Sequence, residues 1–231
     1  LSFSLLALAG CAPAVKVEEP AKETGNEAPK ADTPPAWSTD LVNEGVITIG
    51  ADTNYPPFEF ADGKGGFQGF DVDLMTEMAK ILNLDFKFKT YNFDSLVAGL
   101  TAGQDFDMVM SAWTITAERA MNVNFSDPYF QNSFGVVVAT DSTLKSVDDL
   151  KSGDVVSVQT GSSAHEWAKK ELEPKGIELK TFENTLDCFN TISAGDAVMA
   201  IQDLTMSVEV AKDAARGIAV VDEIPVEEFF G

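Results

Sequence analysis

The sequence predicts an α/β protein of two similar lobes, each built on a mostly parallel sheet flanked by helices. The main observation is that short strand-like segments alternate with apolar helical repeats from about Val46 onward. A second observation is the break at Pro128 and Tyr129, after which the same alternation starts again. The 231 residues, of which 45% are hydrophobic, provide enough apolar surface for such a fold.

The first residues have the character of an export leader. Residues 1–10 form an apolar run that ends in small residues just before Cys11, and this run is too short to span a bilayer. The letters LAGC resemble the lipobox of bacterial lipoproteins, which implies that residues 1–11 are the remnant of a lipoprotein signal with an acylated Cys11. The alternative is a secretory leader whose cysteine is incidental. Cys188 lies in an apolar helical pattern, so we expect a buried side chain there and no disulfide framework.

Residues 12–40 are predicted to form a disordered tether. Residues 12–36 are rich in Pro, Ala, Glu and Lys and have no aromatic residue, so they cannot bury enough apolar surface to fold. The formal net charge of −21 excludes binding of a phosphate backbone as the main function. This charge mildly favours cationic small ligands, although solubility outside the cell explains it equally well.

Residues 41–130 are predicted to form the first lobe. It opens with the β-branched strand Val46–Ala51, which runs into the loop DTNYPPF. The two prolines of this loop stop both helix and strand, so the loop is predicted to be rigid. It presents Asp52 and Tyr55 at the carboxyl end of the strand.

A helix with apolar residues at helical spacing begins near Gly69. Asp71 and Asp73 suit its amino end, so we interpret them as capping residues rather than ligands. An alternating strand, Asp85–Thr90, follows, and a second helix with Asp94 as its N-cap comes after it.

Residues 109–130 carry the predicted centre of the site. An apolar strand is followed by small hydroxyl residues and then by Arg119, the only arginine before Ala215. A lone guanidinium just past the carboxyl end of a strand suits a planar anion such as a carboxylate. The alternative is an ordinary surface arginine at a turn.

Residues 131–228 are predicted to form the second lobe. The turn 160–164 lies between a strand and a helix, so free backbone N–H groups near Ser162 and Ser163 offer an anion site. A later buried strand delivers Gln202 and Asp203 at its carboxyl end. Strands are predicted at residues 134–140, 155–159, 177–182, 197–201 and 218–221, with short helices at 145–151, 164–172 and 184–194.

Together these positions form a set suited to an α-amino acid. A guanidinium and backbone amides suit the carboxylate of a zwitterion, and a carboxylate suits its ammonium group. Aromatic walls that exclude water strengthen both interactions. The members of the set are Asp52, Tyr55, Ser111, Thr114, Arg119, Ser162, Ser163 and Asp203.

Several motifs occur in an order typical of one family. They are DTNYPPFEF, GFDVDL, FDSLVAGL, SAWTITAER, VNFSDPYF, VQTGSS and AIQD. From about residue 45 to residue 231, the chain resembles the polar amino-acid-binding proteins of bacterial ABC importers, in the type II periplasmic-binding-protein family. The resemblance implies a hinged two-lobed "Venus flytrap" that captures a polar amino acid outside the cytoplasm and delivers it to the permease subunits of an ABC transporter.

The resemblance also implies a role for each residue at the ends of the ligand backbone. Arg119 would clamp the α-carboxylate with the help of the amide and hydroxyl groups of Ser163. Asp203 would hold the α-ammonium group together with Thr114 and the carbonyl of Ser111.

The remaining implied roles concern the ligand side chain. Tyr55 and Phe93 would form the walls of its pocket, and Asp52 would contact its polar end, which favours a basic ligand. The alternative for Asp52 is that it only caps its own loop. Gln159 stands where glutamine-specific relatives carry a lysine, so glutamine is disfavoured as the ligand.

The resemblance further implies a monomer that is lipid-anchored to the cell membrane, with no nucleic-acid partner, no cofactor and no metal. Residues 229–231 would start a second crossover, and we expect the remainder of the first lobe to be missing. Two alternatives share the fold: the ligand-sensing domain of a receptor, and a dehydratase. The only histidine, His165, is interpreted as part of a solvated helix face, so an enzyme is disfavoured.

Overall fold

The computed structural model describes residues 32–231. The predicted lipoprotein segment 1–11 with Cys11, and the predicted tether up to residue 31, lie outside the described residues. The end of that predicted tether, Ala36–Asp40, is a 3-10 helix in which Ser38 is buried. The folded part therefore begins before residue 41, because the Gly45 N–H donates to the Ser38 carbonyl at 3.2 Å and holds this helix beside the first strand.

Strands and α-helices alternate along most of the described chain. The strands are β1 (Val46–Ala51), β2 (Asn54–Tyr55), β3 (Glu59–Ala61), β4 (Phe67–Gln68), β5 (Asp85–Thr90), β6 (Met108–Val109), β7 (Phe130–Ala139), β8 (Val155–Gln159), β9 (Glu178–Phe182), β10 (Met199–Asp203) and β11 (Ile218–Phe230). The α-helices are α1 (Phe70–Leu82), α2 (Leu96–Ala102), α3 (Ala117–Ala120), α4 (Ser163–Glu171), α5 (Thr185–Ala194) and α6 (Leu204–Ala211). Within residues 32–231, no helix is both long enough and apolar enough to cross a bilayer.

The first lobe is built on a parallel sheet with the strand order β5-β1-β6. Ile49 of β1 is fully buried and packs with Met75 of α1, whereas Leu96 of α2 and Phe106 form a second cluster. A small antiparallel sheet, β2-β3-β4, follows β1. It was not predicted, and it places Tyr55 and Glu59 next to the carboxyl end of β1.

The second lobe is built on a mixed sheet with the order β11-β7-β10-β8-β9. β10, β8 and β9 are parallel, as predicted, whereas β7 runs antiparallel to both β10 and β11. A buried apolar strand has the same sequence pattern whether it runs parallel or antiparallel to its neighbour. The sequence therefore could not show that β7 runs in the opposite direction. Val136 and Ile201, on paired strands, are both fully buried in its core.

The last strand is longer than predicted. It was expected over residues 218–221, but β11 continues to Phe230 and pairs with β7 as far as Phe130. A register shift between Val220 and Asp222 interrupts the alternation that would have revealed it. Consequently Phe229 and Phe230 are the end of a strand of the second sheet, and Gly231 follows it.

The two lobes meet around an aromatic cluster. The ring of Phe58 lies 5.0 Å from that of Phe130 and 5.3 Å from that of Phe230, edge to face in both cases. Backbone bonds reinforce the junction, because the Ile115 N–H donates to the Phe229 carbonyl at 2.8 Å and the Gly231 N–H to the Trp113 carbonyl at 3.2 Å. The stretch that was predicted to centre the site is therefore bonded directly to the end of β11.

Some local predictions were wrong. Asp71 does not cap α1; it is fully buried and its carboxylate accepts hydrogen bonds from distant residues. Asp94 is not an N-cap either, since it lies in the 3-10 helix Phe93–Ser95 that precedes α2. Residues 145–151 contain only the 3-10 helix Val147–Asp149, and α6 was not predicted.

Candidate functional site

Arg119 lies buried where the two lobes meet. Its residue exposure is 8%, and its guanidinium donates to the carbonyl of Thr114 at 2.8 Å and to that of Gly161 at 3.0 Å. The guanidinium carbon lies 5.3 Å from the ring centre of Phe93 and 4.9 Å from that of Trp113. Burial lowers the pKa of Arg119 to about 10, so the side chain stays charged at neutral pH. The site therefore contains a desolvated cation held by aromatic faces.

A cavity of about 530 Å³ opens beside this guanidinium. Ser162 and Ser163 line it with Arg119, and both belong to the start of α4. The Ser162 hydroxyl caps α4, because it accepts from the His165 N–H at 3.0 Å and donates to the Gln159 carbonyl at 2.9 Å. The groups of this turn that remain suited to an anion are the first backbone N–H groups of α4 and the Ser163 hydroxyl.

Asp203 supplies the buried acid that the sequence predicted at the end of β10. Its exposure is 9%, and its two carboxylate oxygens accept hydrogen bonds from the Tyr55 hydroxyl and, at 2.6 Å, from the Asn132 side-chain amide. Burial raises the pKa of Asp203 to about 6, although these hydrogen bonds oppose the shift. Tyr55 and Asp203 come from different lobes, so their bond is a contact between lobes.

Asp52 makes a second contact between the lobes. Its carboxylate accepts from the Gln159 side-chain amide at 2.7 Å, and the same amide donates to the Glu183 carbonyl at 3.0 Å. Burial raises the pKa of Asp52, and hydrogen bonds from Gln159 and from the Asn54 backbone lower it. Asp52 thus bonds its own loop and also faces the opposite lobe, and its contact with a ligand side chain stays a prediction.

Ser111 and Thr114 lie between these charged groups. The Ser111 hydroxyl accepts from the Asp52 N–H at 2.9 Å and donates to Glu59 at 2.6 Å. The hydroxyl of Thr114 lies 3.3 Å from that of Ser163. Both residues are almost fully buried, so their hydroxyl groups are held in fixed positions.

Two buried acids, Glu59 and Asp71, bond the segment that contains Ser111 and Ala112. The sequence analysis did not predict this pair. Both residues are fully buried, and among the described residues neither Glu59 Oε2 nor Asp71 Oδ1 has a donor partner. Burial and the nearby Asp71 raise the pKa of Glu59 well above its usual range, and burial raises that of Asp71 to about 6. A proton on Glu59 shared with Asp71 satisfies both atoms.

Asp71 holds the backbone beside the site. Its other oxygen accepts from the Ala112 N–H at 2.9 Å and from the Tyr129 hydroxyl at 3.1 Å. Ala112 has φ = 43°, a left-handed conformation that is costly for an alanine. The hydrogen bond to Asp71 therefore helps to fix a strained turn between Ser111 and Trp113.

Glu228 and Asn132 are further site residues that the sequence did not reveal. Glu228 lines the same cavity as Arg119 and Ser163, and it is the register partner of Asn132 across β11 and β7. Burial raises the pKa of Glu228, while hydrogen bonding to Ser163 and the charge of Arg119 oppose the shift. The sequence analysis did not distinguish Glu228 from Glu227, because it did not predict the strand on which these two neighbours point to opposite faces.

The prediction for His165 was wrong. Its side chain is only 17% exposed, and its Nδ1 atom accepts from the Gly161 N–H at 3.3 Å. Burial lowers its pKa. The imidazole therefore packs over the turn that precedes α4 instead of lying on a solvated face.

Comparisons with known proteins identify a family. Residues 47–221 match the bacterial extracellular solute-binding proteins, family 3. A probable histidine-binding protein from Neisseria gonorrhoeae is 35% identical over 177 residues, which cover 76% of this chain and 66% of that relative. The chain thus spans less than two thirds of the length of this curated relative.

Solved structures agree with this result. A structure of an ancestral arginine-binding protein bound to arginine superposes with a TM-score of 0.73 and 33% identity, covering 80% of this chain and 84% of that one. An ancestral amino-acid-binding protein, described as a precursor of cyclohexadienyl dehydratase, gives a TM-score of 0.72 and 34% identity, covering 80% and 82%. The two-lobed α/β fold of the periplasmic-binding-protein type is confirmed.

Proposed function

This chain belongs to the bacterial extracellular solute-binding proteins, family 3, and from that membership we propose that it captures a basic L-amino acid outside the cytoplasm for an ABC transporter permease. The observation that carries the proposal is the pairing of buried opposite charges where the lobes meet, Arg119 on one side and Asp203 on the other. An α-amino acid carries the complementary charges on adjacent groups.

The α-carboxylate is proposed to bind Arg119. Two carbonyl groups, of Thr114 and Gly161, accept from the guanidinium in this structure, and a carboxylate is a stronger acceptor that matches the guanidinium fork. The Ser163 hydroxyl and the first N–H groups of α4 line the same cavity and add donors. Because Phe93 and Trp113 cover the guanidinium, the ion pair forms in a site of low dielectric constant, where it is strong.

The α-ammonium group is proposed to bind Asp203, with Thr114 and the Ser111 carbonyl nearby. Tyr55 now donates to Asp203, so ligand entry exchanges a hydroxyl donor for an ammonium donor. Tyr55 and Phe93 then remain as walls of the side-chain pocket. The same exchange loosens one contact between the lobes and replaces it with contacts that the ligand makes to both, which is how a hinged protein closes on its ligand.

The preference for a basic side chain is assigned to Asp52. Its buried carboxylate accepts from the neutral amide of Gln159, and no lysine or arginine of the described residues bonds it. A cationic side chain supplies charge-assisted donors there, whereas an acidic side chain is repelled. Two relatives agree with this preference, one described as a probable histidine-binding protein and one as an arginine-binding protein bound to arginine.

Membrane attachment and the permease partner are further parts of the proposal. Cys11, in the LAGC sequence, is proposed to carry the acyl chains that hold the monomer to the membrane beside its permease. The change Cys11→Ser should then move the protein from the membrane fraction to the soluble fraction. Variant protein that still sediments with membranes after a salt wash would refute the lipid anchor.

Binding rather than catalysis is proposed because the relatives described above are binding proteins. One of the solved structures is a precursor of a dehydratase, so turnover is a specific alternative. Recovery of the bound molecule unchanged, by mass spectrometry after long incubation, supports binding. Accumulation of a product that has lost water would support the enzyme.

The test of the function is a thermal-shift screen of the common L-amino acids, followed by calorimetry on those that raise the melting temperature. Arg119→Ala should abolish the binding of all of them. Arg216→Ala is the matched control, because Arg216 is the other arginine of the chain and its side chain contacts Asp213 and Asn190 instead of lining the cavity. Equal affinities of the Arg119→Ala variant and the unmutated protein would refute the proposed clamp.

A further inference from the structure

Glu228 is a half-buried acid in the ligand cavity to which the family resemblance assigns no role. It lies on β11, where alternation from Ile224 puts Glu228 on the same face as Ile224 and Val226. Its neighbour Glu227 is exposed, whereas Glu228 lines the cavity with Arg119 and Ser163. The pleat of the strand thus directs one of two adjacent glutamates into the site.

Glu228 and Asn132 face each other across the β7–β11 pair, and among the described residues each side chain has one oxygen atom without a hydrogen-bond partner. Asn132 is 3% exposed, and its amide nitrogen donates to Asp203 at 2.6 Å. Within residues 32–231, neither Asn132 Oδ1 nor Glu228 Oε2 has a hydrogen-bond partner, although both atoms are buried. Asn132 Oδ1 can only accept and Glu228 Oε2 accepts when it is ionised, so the two atoms are paired either by a proton on Glu228 or by a donor from a ligand.

The acceptor groups of Asp203, Asn132 and Glu228 are neighbours in the site. Asn132 joins them, because it bonds Asp203 directly and is the register partner of Glu228. An ammonium group has three N–H donors and a positive charge, which suits two carboxylates and an amide oxygen. A carboxylate or a hydrocarbon would leave the two unpartnered oxygens unsatisfied.

Resting on the proposed function, we propose that Glu228 is a specificity-determining residue that holds the ligand's α-ammonium group, together with Asp203 and the side-chain oxygen of Asn132. The α-ammonium would then face two acids, and Arg119 would face the α-carboxylate. The opposite role is that Glu228 is an internal counter-ion of Arg119, which would compete with the ligand's carboxylate. The two roles predict effects of opposite sign on affinity.

The test compares Glu228→Gln, Glu228→Met and the control Glu227→Gln, which removes the same charge from an exposed neighbour on the same strand. Calorimetry would use L-arginine and two analogues of it. Agmatine has the amine but no carboxylate, and 5-guanidinopentanoate has the carboxylate but no amine. Melting temperatures and circular dichroism check that each variant is folded.

We expect Glu228→Gln to weaken L-arginine and agmatine by about tenfold, and Glu228→Met to weaken them further, because a charge-assisted bond is lost. The affinity for 5-guanidinopentanoate should change little, and Glu227→Gln should bind all three as the unmutated protein does. Tighter binding of L-arginine by Glu228→Gln, or equal losses for both analogues, would overturn the assignment of Glu228.

Failure of the proposed function can be distinguished from failure of the role of Glu228. If the unmutated protein binds none of the common L-amino acids, the proposed function is overturned and the role of Glu228 with it. If it binds a different amino acid, the same three variants are compared on that amino acid, its decarboxylated amine and its deaminated acid. Unchanged affinity in Glu228→Gln would then overturn only the role of Glu228.

Discussion

The buried pair of Glu59 and Asp71 should make the stability of this protein fall as the pH rises through the range of the Asp71 titration. Both side chains are fully buried, and Asp71 accepts from the Ala112 N–H and the Tyr129 hydroxyl. The change Asp71→Asn keeps an oxygen for these two donors and places an N–H group toward Glu59. It removes only the ability of residue 71 to ionise.

The size of the effect follows from the shift in pKa. Burial raises the pKa of Asp71 from 3.8 to about 6, and one pKa unit corresponds to about 1.4 kcal/mol. The folded protein therefore holds a proton that the unfolded chain releases. The resulting stability is fully present below about pH 4 and is lost as the pH rises through about 6, a decrease of about 3 kcal/mol in the free energy of unfolding.

Urea denaturation at half-unit steps from pH 4 to pH 8 measures this decrease. Asp71→Asn should flatten the pH dependence by about 3 kcal/mol relative to the unmutated protein. Asp73→Asn is the control, since Asp73 lies on the same helix but is exposed. Glu59→Gln should keep the stability near neutral pH, because its amide replaces the proton that Glu59 donates. Parallel pH profiles for Asp71→Asn and the unmutated protein would refute the raised pKa of Asp71.

Three further predictions concern the ligand and the backbone. Affinity for a basic amino acid should fall about tenfold per pH unit below about pH 6, because Asp203, whose pKa is raised to about 6, must lose its proton to bind an ammonium group. Calorimetry of Asp203→Asn should show weaker binding with a shallower pH dependence. Asp52→Asn should weaken the binding of basic ligands by about 1.5–3 kcal/mol and leave the affinity for glutamine unchanged. Tight binding of glutamate by the unmutated protein would contradict a site for basic ligands. Gly69→Ala should lower the free energy of unfolding, measured in urea, by more than about 1–3 kcal/mol. The reason is that φ is 131° and a Cβ would lie 2.2 Å from the Phe58 carbonyl oxygen. Gly63→Ala is the control, because φ is 72° there but nothing lies within 4 Å of the added Cβ, so only the backbone strain remains.

Local patterns were enough for the fold class and for most elements. The strands Val46–Ala51, Asp85–Thr90 and Val155–Gln159 occur with the predicted bounds, because each is a short β-branched or alternating run with clear ends. Two of the recognised motifs, DTNYPPFEF and VQTGSS, lie at the carboxyl ends of such strands, and the family that the motifs indicated is confirmed. The proposed roles of the individual site residues stay predictions.

Sequence patterns did not predict the role of a residue when its neighbours in the structure come from distant parts of the chain. Asp71 was interpreted as a helix cap, since acids suit the first turn of a helix, but its partners lie at Ala112 and Tyr129. Glu59 follows Phe58 in a two-proline loop, and nothing near it in sequence indicates that a second acid will be packed against it. Long-range contacts decided both cases.

The sequence by itself therefore determined the family, the alternation of strands and helices, and the single guanidinium that precedes Ala215. The tertiary structure alone decided which acids are buried and what they face, because burial and pairing across the lobes set their pKa values and their free acceptor atoms. Glu228 shows the reason most clearly. Its position in the cavity depends on the pairing of β11 with a strand almost one hundred residues earlier, and no local pattern records that pairing.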